Sequence, residues 1–228
     1  MSHSVSEKLK RIKQTIPEQV KLVAVSKTKP VEDIMEAYQA GQICFGENKA
    51  QEMEAKQALL PANIEWHFIG HLQTNKVKYI TAFVSLIEAV DSLKLLKEIN
   101  KQASRHSRII PCLLQFHIAE EESKFGLNRE EASALLESED YKKMKNIKLA
   151  GVMGMATFTD DLQQVRREFI HLREIFNWLK TSYFIQDEAF KEISMGMSGD
   201  YPIAIEEGAT IVRVGSLIFG ERNYSATE

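Results

Sequence analysis

The chain has 228 residues, 44% of them apolar and 27% charged, with a net charge of −3. At roughly 100–200 residues per domain, this length fits a single compact unit over residues 1–228 with its own core. The acidic balance argues against a nucleic-acid partner. No apolar run approaches the roughly 18 residues of a membrane span, and the first ten residues lack the apolar segment of a signal peptide. The 2 cysteines, Cys44 and Cys112, cannot form a disulfide scaffold and read as small core residues. A reduced, cytoplasmic protein is expected.

The first pattern is helical, with Val5, Leu9, Ile12 and Ile16 on one face. Lys21–Val25 then reads as a strand. Pro30 and Val31 open a helix that Gly41 stops. Ile43–Phe45 is a short strand and Lys49–Leu60 a helix. Glu65–Ile69 is a third strand, followed by a short helical piece near Gln73–Ile80, and Val84–Val90 is a fourth. Ser92 caps a helix bearing Leu95, Leu96, Ile99 and Ala103. A fifth strand lies within Arg108–Ile118, and Pro111 argues for a start near or after that point. Asn128 caps the next helix, with Glu130 and Glu131 in its first turn. Ile147–Met153 is a sixth strand. Asp160 or Asp161 begins a long helix whose face carries Leu162, Val165, Phe169, Leu172, Phe176 and Leu179. Glu192–Met195, the helix Tyr201–Glu207 and Thr210–Val214 complete the pattern.

Eight strands alternating with helices predict an α/β fold with a parallel sheet, and the length fits a (β/α)₈ TIM barrel. Only Ser216–Glu228 follows the last strand, too short for a full crossover, so the extra N-terminal helix is expected to occupy part of that gap. The rival is an open doubly wound sheet. It favours a Gly-rich turn after the first strand, where this chain has Ser26-Lys27-Thr28-Lys29-Pro30.

In such barrels chemistry sits at the C-terminal ends of the strands. Side chains alternate along a strand, so Val23, Val25 and Lys27 point the same way. A lysine over an apolar barrel interior loses solvation, which favours the neutral amine. A neutral amine can attack a carbonyl to form a Schiff base. At the other end of the chain, Ser198, Gly199, Gly215 and Ser216 fall in the loops after strands seven and eight. Barrels commonly bind phosphate there, although the same glycines also suit ordinary turns. An aldehyde-capturing lysine and a phosphate cradle together suggest pyridoxal 5′-phosphate, with a class I aldolase acting on a phosphosugar as the alternative.

Five separated motifs sharpen this choice. They are Ala24-Val25-Ser26-Lys27-Thr28; Phe45-Gly46-Glu47-Asn48; Trp66-His67-Phe68-Ile69-Gly70 with Leu72-Gln73 and Asn75-Lys76; Ser194-Met195-Gly196-Met197-Ser198 with Asp200; and Val212-Arg213-Val214-Gly215 with Ile218-Phe219-Gly220. In this order they resemble the pyridoxal-phosphate homeostasis family, single-barrel relatives of the alanine racemase N-terminal domain. The resemblance implies that Lys27 is the cofactor lysine and that Arg213 faces the pyridine nitrogen. It implies that Ser198, Gly215 and Ser216 hold the phosphate and that Asn48 lines the ring pocket. Ile118, Glu121, Lys124 and Gly126 match the family's strand-five motif, but His117 stands where the family has Asn.

A guanidinium at the pyridine nitrogen keeps its protons, so the ring is a weaker electron sink than one paired with a carboxylic acid. Racemases of the related type also need a second acid/base, carried on an added β domain and a partner subunit. No residues remain here for that domain. The expectation is therefore a monomeric pyridoxal-phosphate-binding protein that buffers or delivers the cofactor, with pyridoxal-phosphate-dependent apoenzymes as partners and without catalytic turnover. The alternative is an amino-acid racemase of the same barrel type. His67 and His71 are four apart, but Gly70 breaks the helical spacing and no third ligand accompanies them, so no metal site is expected.

Overall fold

In a computed structural model, residues 4–120 and 125–221 are described. The chain begins with α1 (Val5–Thr15), capped by the Ser4 hydroxyl, which accepts from Glu7 N at 3.2 Å. It continues through β1 (Lys21–Val25), α2 (Val31–Gln39), β2 (Cys44–Glu47), α3 (Ala50–Gln57) and β3 (Glu65–Phe68). A 3₁₀ turn over Thr74–Tyr79 leads into β4 (Leu86–Val90), α4 (Leu93–Arg105), β5 (Ile110–Gln115), α5 (Arg129–Glu137) and the short α6 (Glu139–Lys142). The last units are β6 (Ile147–Met153), α7 (Leu162–Ser182), β7 (Glu192–Ser194), α8 (Tyr201–Glu206), β8 (Ile211–Val214) and α9 (Ser216–Phe219).

The strands pair in parallel, in sequence order, and β8 closes on β1 with Val23 opposite Arg213. This is the (β/α)₈ barrel, and the open-sheet alternative falls. Strand alternation sorts the core into two layers. Val23, Cys44, Leu86, Ala89, Leu113, Met153 and Ile211 fill the barrel interior. The opposite faces, including Leu22, Ala24, Phe45, Trp66, Ile87, Leu114 and Val212, pack under the helices.

The N-terminal helix lies on the outside of the barrel, against α2 and α9. Leu9 is fully buried there, Lys13 Nζ donates to Gly41 O at 2.8 Å, and Thr15 Oγ1 meets the Tyr201 hydroxyl at 2.9 Å. Thus α1 and the single turn α9 together cover the flank that a full eighth crossover helix would cover. Strand boundaries shift in detail. β2 runs to Glu47, and β5 starts at Ile110 with Pro111 second, at an end where a missing ladder donor costs least. The register of β5 against β6 slips at Ala150, and Gly151 follows with φ +152°. A Cβ on Gly151 would lie 1.8 Å from Glu192 O, so only glycine lets β7 approach at this bulge.

Candidate functional site

The ladder between β1 and β2 continues one residue beyond β1, where Ser26 N donates to Gly46 O at 3.0 Å. Ser26 turns outward, and its hydroxyl donates to Glu47 Oε1 at 2.6 Å. Lys56 of α3 reaches the same carboxylate oxygen at 2.7 Å and Ser26 O at 2.8 Å. Burial pushes the Glu47 carboxyl up, and the Lys56 charge and Ser26 hydroxyl only partly offset it. With Ser26 directed out, alternation directs Lys27 toward the barrel mouth, where it is half-buried. The turn that follows is held from both sides: Thr28 N donates to Glu52 Oε1 at 2.7 Å, and Lys29 Nζ donates to Phe219 O at 3.1 Å. Thr28 takes φ +63°, a left-handed conformation these anchors help to maintain.

The loops after β7 and β8 meet beside β1. Gly215 N donates to Ser198 Oγ at 3.2 Å, which joins two of the expected phosphate residues directly. A Cβ on Gly215 would stand 3.2 Å from both Val25 Cβ and Val25 O, so a side chain here would be tight against the end of β1. Ser216 follows as the exposed first residue of α9. The Ser198 loop is closed by Asp200, whose Oδ1 accepts from Met197 N.

Arg213 rises from β8 inside the barrel, 3% exposed. Its Nη2 donates to Gly154 O at 2.9 Å and its Nη1 to Ser194 Oγ at 2.5 Å. The Ser194 hydroxyl donates in turn to Glu88 Oε2 at 2.6 Å. The other oxygen, Glu88 Oε1, meets His67 Nδ1 at 2.6 Å. Burial alone would raise the Glu88 pKa, but His67, Arg213 and Ser194 outweigh it and hold the carboxyl below the usual range. Burial alone would lower the His67 pKa, but Cys44 and Glu88 outweigh it and raise it to about 10. The result is a buried hydrogen-bonded chain His67–Glu88–Ser194–Arg213 in which one carboxylate lies between two basic groups, which fixes the guanidinium of Arg213 in place.

Glu88 and Ser194 were not singled out from the sequence as functional residues. The signal was present: a carboxylate on the inward face of an apolar strand, Leu86-Ile87-Glu88-Ala89-Val90, needs a buried partner. His67 is a paired interior histidine, while His71 lies near the mouth, bonded to Asp91 at 3.0 Å and stacked on Phe125 at 4.2 Å. The two histidines therefore do not share a site.

Asn48 follows β2 and is half-buried. A Cβ at Gly70 would lie 2.6 Å from Asn48 Cβ, so the turn after β3 presses directly on this side chain. Asn48 Oδ1 is buried without a hydrogen-bond partner, an expensive condition for an amide oxygen. His117 is half-buried after β5, and its backbone N donates to Leu127 O at 3.2 Å. Glu121 and Lys124 of the strand-five motif lie outside the described residues.

The architecture has known counterparts. Residues 2–223 match the family described as alanine racemase, N-terminal domain. The pyridoxal phosphate homeostasis protein of Aquifex aeolicus is 42% identical over 205 residues, covering 90% of this chain and 88% of that protein. The structure of PipY from Synechococcus elongatus PCC7942 with PLP bound superposes with a TM-score of 0.85 at 32% identity, covering 95% of this chain and 100% of that one. An alanine racemase from Bacillus anthracis with bound L-Ala-P shares the fold, with a TM-score of 0.74 at 16% identity, over 97% of this chain but 56% of the racemase. The chain thus belongs to the alanine racemase N-terminal domain family and, within it, to the pyridoxal phosphate homeostasis proteins.

Proposed function

We propose that this chain binds pyridoxal 5′-phosphate and acts in its intracellular homeostasis, buffering or delivering the cofactor to apoenzymes as a monomeric single-domain barrel without catalytic turnover. The relatives' names and the cofactor-bound PipY structure support the ligand. One local observation carries the fit: Asn48 Oδ1 is a buried polar atom left unsatisfied, as a residue lining a ligand's ring would be. The approach of Gly215 to Val25 and the Gly215–Ser198 hydrogen bond suit a phosphate held by backbone N–H groups and a hydroxyl.

When bound, pyridoxal phosphate supplies an aldehyde that a lysine amine captures covalently. Lys27 is the amine we assign. Ser198 and the Gly215–Ser216 backbone would hold the phosphate, with the Ser198 hydroxyl, which accepts from Gly215 N, free to donate its own proton to a phosphate oxygen. Asn48 lines the ring. Arg213, clamped by Gly154 O and Ser194, would face the ring nitrogen as a donor, its positive charge balanced by Glu88. No helix among the described residues is long and apolar enough to cross a membrane.

The test is to reduce the protein with borohydride after loading with the cofactor, then digest it and weigh the peptides. The pyridoxyl adduct is expected on Lys27. An adduct on Lys29 or Lys49, or none on any lysine, contradicts the assignment.

A further inference from the structure

The N-terminal end of the barrel, opposite the cofactor mouth, holds three metal-ligating side chains that the proposed function leaves unused. Cys44 opens β2, Glu65 opens β3, and the two stand opposite each other in register. His67 follows Glu65 by two residues, so alternation places both on the same face of β3. One donor atom from each side chain, the Cys44 thiol sulfur, a Glu65 carboxylate oxygen and a His67 ring nitrogen, falls within a 4.8 Å cluster. Ligand atoms around a tetrahedral zinc ion are about 3–4 Å apart, given metal–ligand bonds of about 2.0–2.3 Å. The spacing found closes to that range with a small rotation of Glu65, whose side chain is half exposed.

Two further features are those of a built site. His67 Nδ1 is already bonded to Glu88 Oε1 at 2.6 Å, which turns Nε2 toward Cys44, and a metal would replace the present hydrogen bond between that ring edge and the thiol. Metal-bound histidines commonly have such a carboxylate behind them to fix the ring. A cavity of about 690 Å³ opens at this end, lined by Lys21, Glu65, His67 and Glu192 among others, giving a path in and room for a water ligand. Lys21 now pairs with Glu65 at 3.0 Å. A second carboxylate, Glu192, lines the same cavity as Lys21.

We propose that Cys44, Glu65 and His67 bind one zinc-class divalent ion at the N-terminal end of the barrel, with the fourth coordination position open to the cavity. One sulfur, one nitrogen and one oxygen suit Zn²⁺ or Co²⁺, whereas Mg²⁺ and Ca²⁺ demand six or more oxygens. Binding transfers the thiol proton, and any proton on His67 Nε2, to solvent.

The test uses the full-length, tag-free protein, stripped with chelator and titrated with Co²⁺. One equivalent is expected to bind, giving a thiolate charge-transfer band and strong tetrahedral absorption in the visible, both bleached by Zn²⁺. Cys44→Ser should abolish the charge-transfer band, and Cys112→Ser should leave it unchanged. Glu65→Gln, at the half-exposed rim where folding is least at risk, should weaken binding by about tenfold or more. The proposal is overturned by no charge-transfer band at saturating Co²⁺, by a band that survives in folded Cys44→Ser, or by unchanged affinity in Glu65→Gln.

Discussion

Ser198 bears the clearest single-residue consequence of the phosphate assignment. Its hydroxyl already accepts from Gly215 N, so it is positioned by one loop to serve a ligand shared with the next. Ser198→Ala removes a charge-assisted hydrogen bond worth about 1.5–3 kcal/mol. Cofactor affinity should fall by about one to two decades, read as the dissociation constant by fluorescence titration. An unchanged constant removes Ser198 from the site. The direction of Lys27 could be read from sequence because period-two alternation is local, and the outward bond of Ser26 to Glu47 agrees with it. Glu88, Ser194 and the Cys44–Glu65–His67 cluster were not, because their partners come from other strands and depend on barrel register. Ser194 meets Glu88 across the interior, 106 residues away in sequence.

Among the elements, the loops after β5 and β6 depend on one helical side chain. Glu168 of α7 is 3% exposed and accepts from Thr157 N at 2.6 Å, Thr157 Oγ1 at 2.7 Å and Glu120 N at 3.0 Å. Burial acts to raise its pKa, but these donors outweigh it and the pKa is lowered. A lowered carboxylate pKa contributes stability that is fully present above the unfolded value of about 4.3 and is lost as pH falls through the folded value. Glu168→Gln should cost about 1.5–3 kcal/mol at neutral pH, and urea midpoints should show the gap closing below about pH 4. A gap of constant size across that range would show that the charge is not responsible. The elements themselves were largely legible: all eight strands and the long α7 follow their hydrophobic periods. The short α6 and α9 were not, because one turn carries too few residues to show a 3.6-residue period. The slip at Ala150–Gly151 is likewise set by the neighbouring strand, since it is Glu192 O that excludes a side chain there.

For the whole molecule, the barrel was legible from the count and alternation of strands, and the place of α1 on its outside from the few residues left after β8. The barrel explains how one chain can offer a cofactor a rigid floor while leaving the mouth above it accessible. Arg213 is locked from beneath by Gly154, Ser194 and Glu88, so in the proposed assignment the ring nitrogen would meet a fixed partner. Racemisation needs more: a base to remove the α-proton and an acid to return one from the opposite face, inside a site closed to water. The central claim is that this barrel binds pyridoxal phosphate without running that chemistry. The most direct measurement is to incubate the cofactor-loaded protein with each L-amino acid in D₂O and follow α-proton exchange and D-isomer formation. The account expects neither at enzymic rates, whereas turnover of about 1–10³ s⁻¹ on any amino acid would contradict it and establish a racemase.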